Sequence, residues 1–84
     1  MNRYKVLVGF DGNEPTNPIE FSATSYKDAY FIAGQKIIEN YPQLSDEECE
    51  LLSDADMNNW EEKCDEIFDI NGFDISDVIE IDND

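Results

Sequence analysis

Residues 4–33 read YKVLVGFDGNEPTNPIEFSATSYKDAYFIA, and along them the hydrophobic period changes from two to 3.6. Tyr4, Val6, Val8 and Phe10 alternate with Lys5, Leu7 and Gly9. Period two with β-forming residues predicts a strand with one well-buried face. Asp11 to Pro18 is rich in turn formers (Gly12, Asn13, Pro15, Asn17, Pro18) and reads as a loop. Ile19, Phe21 and Ala23 then alternate with Glu20 and Ser22, giving a second strand and hence an antiparallel hairpin with a long connection. Ser25 offers an N-cap, with Asp28 as a weaker capping-box partner three residues on. From there Tyr26, Ala29, Tyr30, Ala33, Ile37 and Tyr41 recur at helical spacing until Pro42. Small Ala29 and Ala33 let that helix lie close to a sheet.

Further along, Ser45 and Glu48 form a cleaner capping box, and Leu44 and Cys49 are placed to staple the same turn. They predict a short helix over Asp46–Leu52. The pattern recurs with Ser53 as cap, Asp56 three residues on, and Leu52 facing Met57. A longer helix is expected from Asp54 to Ile70, with Met57, Trp60, Cys64 and Ile67 on its inner stripe. Gly72 supplies a left-handed stop. Phe73 to Asp82 is the third strand candidate, with Ile79 and Ile81 on one face and Val78, Glu80 and Asp82 on the other; Asp77 breaks the alternation. The expected fold class is α+β, a small antiparallel sheet of ββααβ order with helices packed on one face. Residues 1–82 read as one domain and 83–84 as a tail.

The charge is divided unevenly along this plan. The 84 residues carry 21 acids and 5 bases, a net −16. Residues 1–40 hold five acids (Asp11, Glu14, Glu20, Asp28, Glu39) and four bases (Arg3, Lys5, Lys27, Lys36), a net −1. Residues 41–84 hold the other sixteen acids and one base, Lys63, a net −15. Glu61, Asp65 and Asp69 stand at i, i+4 and i+8, with Glu62 and Glu66 beside them. On a helix this sets five carboxylates on the face opposite Met57, Trp60, Cys64 and Ile67. Neighbours in a row are separated by about 6 Å of rise, less than the roughly 8 Å screening length at physiological salt, so their fields add. A solvated, solubilising face is the ordinary explanation of a charge run. Solubility, however, does not require an almost unbroken single sign.

Other chemistry finds little support. There is no histidine, the commonest general base near neutral pH and the commonest metal ligand. Cys49 and Cys64 match no zinc or redox spacing and read as two small buried hydrophobes in a reducing compartment, with a single disulfide as the alternative. Asp54, Asp56, Asn58 and Asp65 fit positions 1, 3, 5 and 12 of an EF-hand loop, but Asn59 stands where glycine is required and Glu61 where an apolar residue is usual. No metal, cofactor or catalytic residue is assigned, and the chain is not expected to be an enzyme. At 40% apolar residues it can build a core, and no run approaches a signal peptide or membrane span. The expected location is the cytoplasm, of a host cell if the protein is phage-encoded. Frequent Asn and Ile with scarce Ala fit an AT-rich coding source such as many phages.

The acidic residues 46–82 on a small α/β layout resemble the DNA-mimic inhibitors that phages make against host nucleic-acid enzymes, among them anti-restriction, anti-CRISPR and glycosylase-inhibitor proteins. The hairpin-then-helix start, with Ala23-Thr24-Ser25 leading into Asp28-Ala29, also resembles a common phage-encoded ββα module of no fixed activity. The first resemblance implies an inhibitor that fills the basic nucleic-acid channel of a host defence or DNA-processing enzyme. The residues expected to meet it are Glu61, Glu62, Asp65, Glu66 and Asp69, joined by Asp46, Glu47, Glu50, Asp74, Glu80 and Asp82. The partner is then the basic surface of a nucleic-acid-binding protein or nuclease. Neither nucleic acid itself nor a membrane is expected to bind, since phosphate would be repelled. The oligomeric state is left open. One alternative is an immunity or antitoxin protein for a basic nuclease, which needs an exposed aromatic anchor at Tyr30, Tyr41 or Trp60. Another is a solubility-driven acidic surface on a domain of other function. Halophilic adaptation would spread acids over the whole chain, and the near-neutral first half argues against it.

Overall fold

The hairpin forms in the register its alternation demands. In the computed structural model, which describes residues 1–10 and 13–81, β1 (Asn2–Gly9) pairs antiparallel with β2 (Asn17–Ala23). Tyr4 lies opposite Phe21, and Val6 opposite Ile19. The buried residues Tyr4, Val6, Val8, Phe21 and Ala23 therefore share one face of the sheet, on which the helices pack. Asn17 and Pro18 belong to β2 rather than to the loop. The loop's Asp11 and Gly12 lie outside the described residues.

Helix α1 (Tyr26–Asn40) starts where Ser25 Oγ accepts the Asp28 N–H at 3.2 Å. Asp28 does not return the bond to the cap; its carboxylate accepts the Thr24 hydroxyl instead, at 2.5 Å. Ala29, Tyr30, Ala33 and Ile37 are buried as the stripe requires. Tyr26 departs from it, with 41% of its surface exposed while its hydroxyl donates to the Val78 carbonyl at 2.5 Å. Gly34 marks a close approach in the helical layer. A Cβ built there would stand 2.6 Å from the Leu52 carbonyl oxygen, so the α1 backbone packs directly on the backbone at Leu52.

Helix α2 (Asp46–Ser53) carries the full capping box. Ser45 Oγ accepts from Glu48 N, and Glu48 Oε1 accepts from Ser45 N at 3.1 Å. Helix α3 (Trp60–Asn71) begins six residues later than expected. Ser53 is the last residue of α2, not a cap. The intervening turn is held by side chains: Asp56 Oδ1 accepts from Asn58 N and Asn59 N at 2.8 and 3.0 Å, and Asn59 Oδ1 accepts from Asp56 N at 2.6 Å. Such local side-chain to backbone bonds compete with helix. Met57 consequently leaves the inner stripe and is 48% exposed, while Ala55 takes the buried place. Gly72, at φ 76°, ends α3 in the left-handed region as expected.

The last segment is two strands, not one. β3 (Asp74–Ile75) pairs with the Val8–Gly9 end of β1, and β4 (Ile79–Ile81) with its Arg3–Lys5 end, both antiparallel. Ser76 causes the break. Its Oγ accepts the Leu7 N–H and its own N–H donates to the Leu7 carbonyl, both at 2.9 Å. The Trp60 indole N–H donates to the Ser76 carbonyl at 3.0 Å, and Val78 turns inward to 1% exposure. The fold is thus α+β, a four-stranded antiparallel sheet with β1 between β2 and the β3/β4 pair. The element order is ββαααββ: each of the three helices expected along the chain is present, one more than the ββααβ order counts, and the final strand is split in two.

Candidate protein-binding surface

Helix α3 decides where the acids go. Trp60, Cys64 and Ile67 recur at i, i+4 and i+7 and are buried, which fixes the rotation of the helix. Trp60 is 2% exposed, and its ring meets Tyr30 edge-on at 5.4 Å. Glu61, Glu62, Asp65, Glu66 and Asp69 then fall on the opposite side, and all five are exposed. Together with Asn58 they line a shallow, open depression of about 440 Å3. Half-exposed Phe68 and Ile70 border this face, one on each side, as their angular positions on the helix require.

Nothing within the described residues neutralises that face. The ion pairs there are Arg3–Glu20 at 3.1 Å and Lys36–Glu39 at 3.5 Å, both in the near-neutral first half. Lys63, half-buried at the edge of α3, forms none. Among the described residues no three Cys, Asp or Glu side chains are grouped as a metal site. Asp56, central to the EF-hand spacing, spends its carboxylate on the backbone of its own turn.

A second acidic row lies on α2. Asp46, Glu47 and Glu50 are exposed, and Glu47 and Glu50 line a smaller depression with Leu51 and Asp54. Sequence reasoning passed over Asp54 because it assigned that residue to the start of the next helix; once α2 runs to Ser53, the i+7 spacing from Glu47 puts it in the row. Glu48 is the exception among these acids. It is 3% exposed and turned inward, with Oε2 accepting from Asn71 Nδ2.

The terminal strands do not extend the surface as one row. Asp74 is half-buried beside Gly9, while Glu80 is exposed beside Tyr4, at opposite ends of β1. Five residues of strand separate them, about 16 Å. Asp82 lies outside the described residues. The borders formed by Phe68 and Ile70 were also missed. The only available signal was angular position, Phe68 lying between Cys64 and the Glu61–Asp65 row.

Burial shifts two other groups. The Cys64 thiol is pushed up to about 12, first by desolvation and then by the nearby carboxylates of Asp77, Asp65 and Asp74. The Tyr30 hydroxyl is likewise pushed up to about 12, chiefly by desolvation. Both remain protonated and unreactive at neutral pH. Both cysteines are free, Cys49 half-buried and Cys64 buried. No helix among the described residues is long and apolar enough to cross a membrane. Compared with known protein families, curated proteins and solved structures, the chain matches none.

Proposed function

We propose that the protein is an inhibitor that offers its α3 and α2 carboxylates to a basic protein surface in place of nucleic acid, blocking the channel of a host defence or DNA-processing enzyme. The observation that carries this reading is the unneutralised α3 face. Glu61 to Asp69 spans eight helical steps, about 12 Å, so its five charges are spaced roughly 2–3 Å apart along the axis, between the 1.7 Å of a duplex and the 3.4 Å of one strand. A helix held by Trp60 and Ile67 fixes those charges before contact, which lowers the ordering cost of binding. The site of action in this reading is the cytoplasm.

The test is competition. The protein is immobilised and exposed to host lysate at low salt, and bound enzymes are eluted with a salt gradient and assayed. The reading requires an enzyme whose inhibition is relieved by added nucleic acid and by salt. It also requires that Glu62→Lys with Glu66→Lys removes the inhibition. Inhibition that survives the double substitution sinks it.

Half-exposed Phe68 keeps the immunity-protein reading in play, since it is an aromatic beside Glu61 and Asp65. Of the anchors expected for that reading, Trp60 and Tyr30 are buried and Tyr41 is half-buried. Phe68→Ala separates the two readings. An anchor in a nuclease pocket loses about 2 kcal/mol or more, whereas charge-led mimicry barely changes.

A further inference from the structure

Asn71 and Gly72 form the chain's one Asn-Gly step. The fold demands that glycine, because residue 72 takes φ 76° to end α3 in a conformation that residues with side chains resist. The missing Cβ has a chemical cost. Each of the chain's other asparagines is followed by a residue whose side chain hinders the next backbone nitrogen; Asn71 is not. We propose that the Asn71 side-chain amide is a site of spontaneous deamidation, held unreactive by the folded state, and that its conversion parts the end of α3 from α2. Water is the only co-reactant. The Gly72 nitrogen bonds to Asn71 Cγ, the Cγ–Nδ2 bond breaks, and Nδ2 leaves as ammonia with the proton of the Gly72 amide. Water then opens the cyclic imide at one carbonyl or the other, leaving aspartate or its β-linked isomer at position 71.

Three hydrogen bonds hold the reaction back. The Gly72 N–H donates to the Phe68 carbonyl at 2.7 Å, which ties the nucleophile into the helix end. Asn71 Oδ1 accepts from Phe73 N at 2.9 Å, and Asn71 Nδ2 donates to Glu48 Oε2, so both ends of the side-chain amide are engaged. Ring closure therefore waits on a local opening of the α3 end. Water is at hand when it opens, since Asn71 is exposed although Glu48 is 3% exposed. The product cannot remake these contacts. A carboxylate at 71 offers no N–H to Glu48 Oε2 and sets a second negative charge against it. It does so at a helix C-terminus whose last turn carries no base, where a negative charge is disfavoured. The isomer adds a backbone carbon between positions 71 and 72 and displaces the Phe68–Gly72 bond that stops the helix. Either product loosens the exit of the chain toward β3, so the conversion limits the lifetime of the fold.

This inference does not depend on the proposed function. The full chain is incubated in mildly alkaline buffer, with and without unfolding guanidinium chloride, and amide loss at each asparagine is followed by peptide mapping and mass spectrometry. In denaturant Asn71 should convert faster than any of the other asparagines. In buffer its conversion should be at least about tenfold slower than in denaturant, because the helix end must open first. Glu48→Ala removes one of the three restraints and should speed the reaction several-fold in buffer, with no change in denaturant. Asn71→Asp installs the product directly and should lower the urea midpoint, and lower it less in the Glu48→Ala background. Equal rates at Asn71 in buffer and in denaturant overturn the inference. So does another asparagine converting first in denaturant, a folded Glu48→Ala protein that deamidates no faster in buffer, or an Asn71→Asp protein as stable as its parent. If Glu48→Ala does not fold, the two rates of the parent chain and the Asn71→Asp midpoint still decide.

Discussion

Glu48, near the start of α2, and Asn71, the last residue of α3, are joined by a hydrogen bond from Asn71 Nδ2 to Glu48 Oε2 across 23 positions of sequence. The bond sits in a chain of them. Glu48 Oε1 accepts from the Ser45 hydroxyl at 2.9 Å, and Asn71 Oδ1 accepts from Phe73 N at 2.9 Å. A single buried carboxylate thereby caps one helix, holds the end of the next, and sets the exit of the chain toward β3. It is also why α2 and α3 keep a fixed relation while their outer faces repel.

Asn71→Ala should destabilise the fold by about 1–3 kcal/mol, because it leaves a buried charged acceptor short of a donor. Glu48→Ala and the double substitution complete a cycle. Urea unfolding should give a coupling of roughly 0.5–3 kcal/mol between the two sites. Additive effects would mean that the contact contributes nothing of its own.

Gly34→Ala sets two effects against each other. In a helix interior alanine is favoured over glycine by about 1 kcal/mol. Here the new methyl meets the Leu52 carbonyl oxygen at 2.6 Å, and a backbone atom cannot swing aside. Overpacking of this kind costs about 1–3 kcal/mol, so the net change is destabilising or at best neutral. A rise in the urea midpoint would show that α1 and α2 separate freely.

How much of this was readable in advance follows from the same details. The hairpin, the Ser25 and Ser45 caps, the Gly72 stop and the rotation of α3 are set by neighbours within a few residues, and all were legible. Ser53 was misread as a cap because its local pattern copies that of Ser45; what differs is the Asp56 and Asn59 turn, whose reciprocal bonds no periodicity reports. The split at Ser76 depends on Leu7 and Trp60, which are distant in sequence. That the five α3 acids share one exposed face was legible because one helix carries them all. Asp74 and Glu80 were joined too readily to the others, since their separation depends on where β3 and β4 dock on β1.

Asp65→Lys, beyond the first turn of α3, should stabilise the free protein while weakening its proposed partner contact. The α3 face holds five like-charge pairs at i, i+3 or i, i+4, each unfavourable by about 0.2–0.5 kcal/mol on an isolated helix. Replacing Asp65 turns three of them attractive, a gain of roughly 1–2 kcal/mol at low salt, and leaves the first-turn acids Glu61 and Glu62 at the helix N-terminus, where they are favoured. Thermal unfolding at 20 mM and 500 mM salt reads both the gain and its loss on screening. An unchanged midpoint at low salt would mean that the carboxylates do not feel one another.

Alkaline pH should unfold the protein in a definite window. The Cys64 thiol has an ordinary value of 9.0 and is held at about 12 when folded, because burial disfavours the thiolate. The stability this represents is complete below pH 9, where both states are protonated. It declines as pH rises through 9 toward 12, where the unfolded chain loses its proton and the folded one does not. Tyr30, raised from 10.0, adds to the same decline. Urea midpoints measured at pH 8 and pH 10.5 should fall for the parent protein and fall less for Cys64→Ala. Equal slopes would place the alkaline sensitivity elsewhere.

The position of β1 bears on how the chain is made. Its first neighbour, β2, emerges soon after it, but the strands on its other side are residues 74–81, beyond all three helices. During synthesis the hairpin therefore waits with one edge unsatisfied while α1, α2 and α3 are still being added. An open edge of that kind invites pairing with the same edge of another nascent chain. The segment made during that interval is the most negatively charged part of the protein, so neighbouring partly made chains repel one another before their sheets are closed.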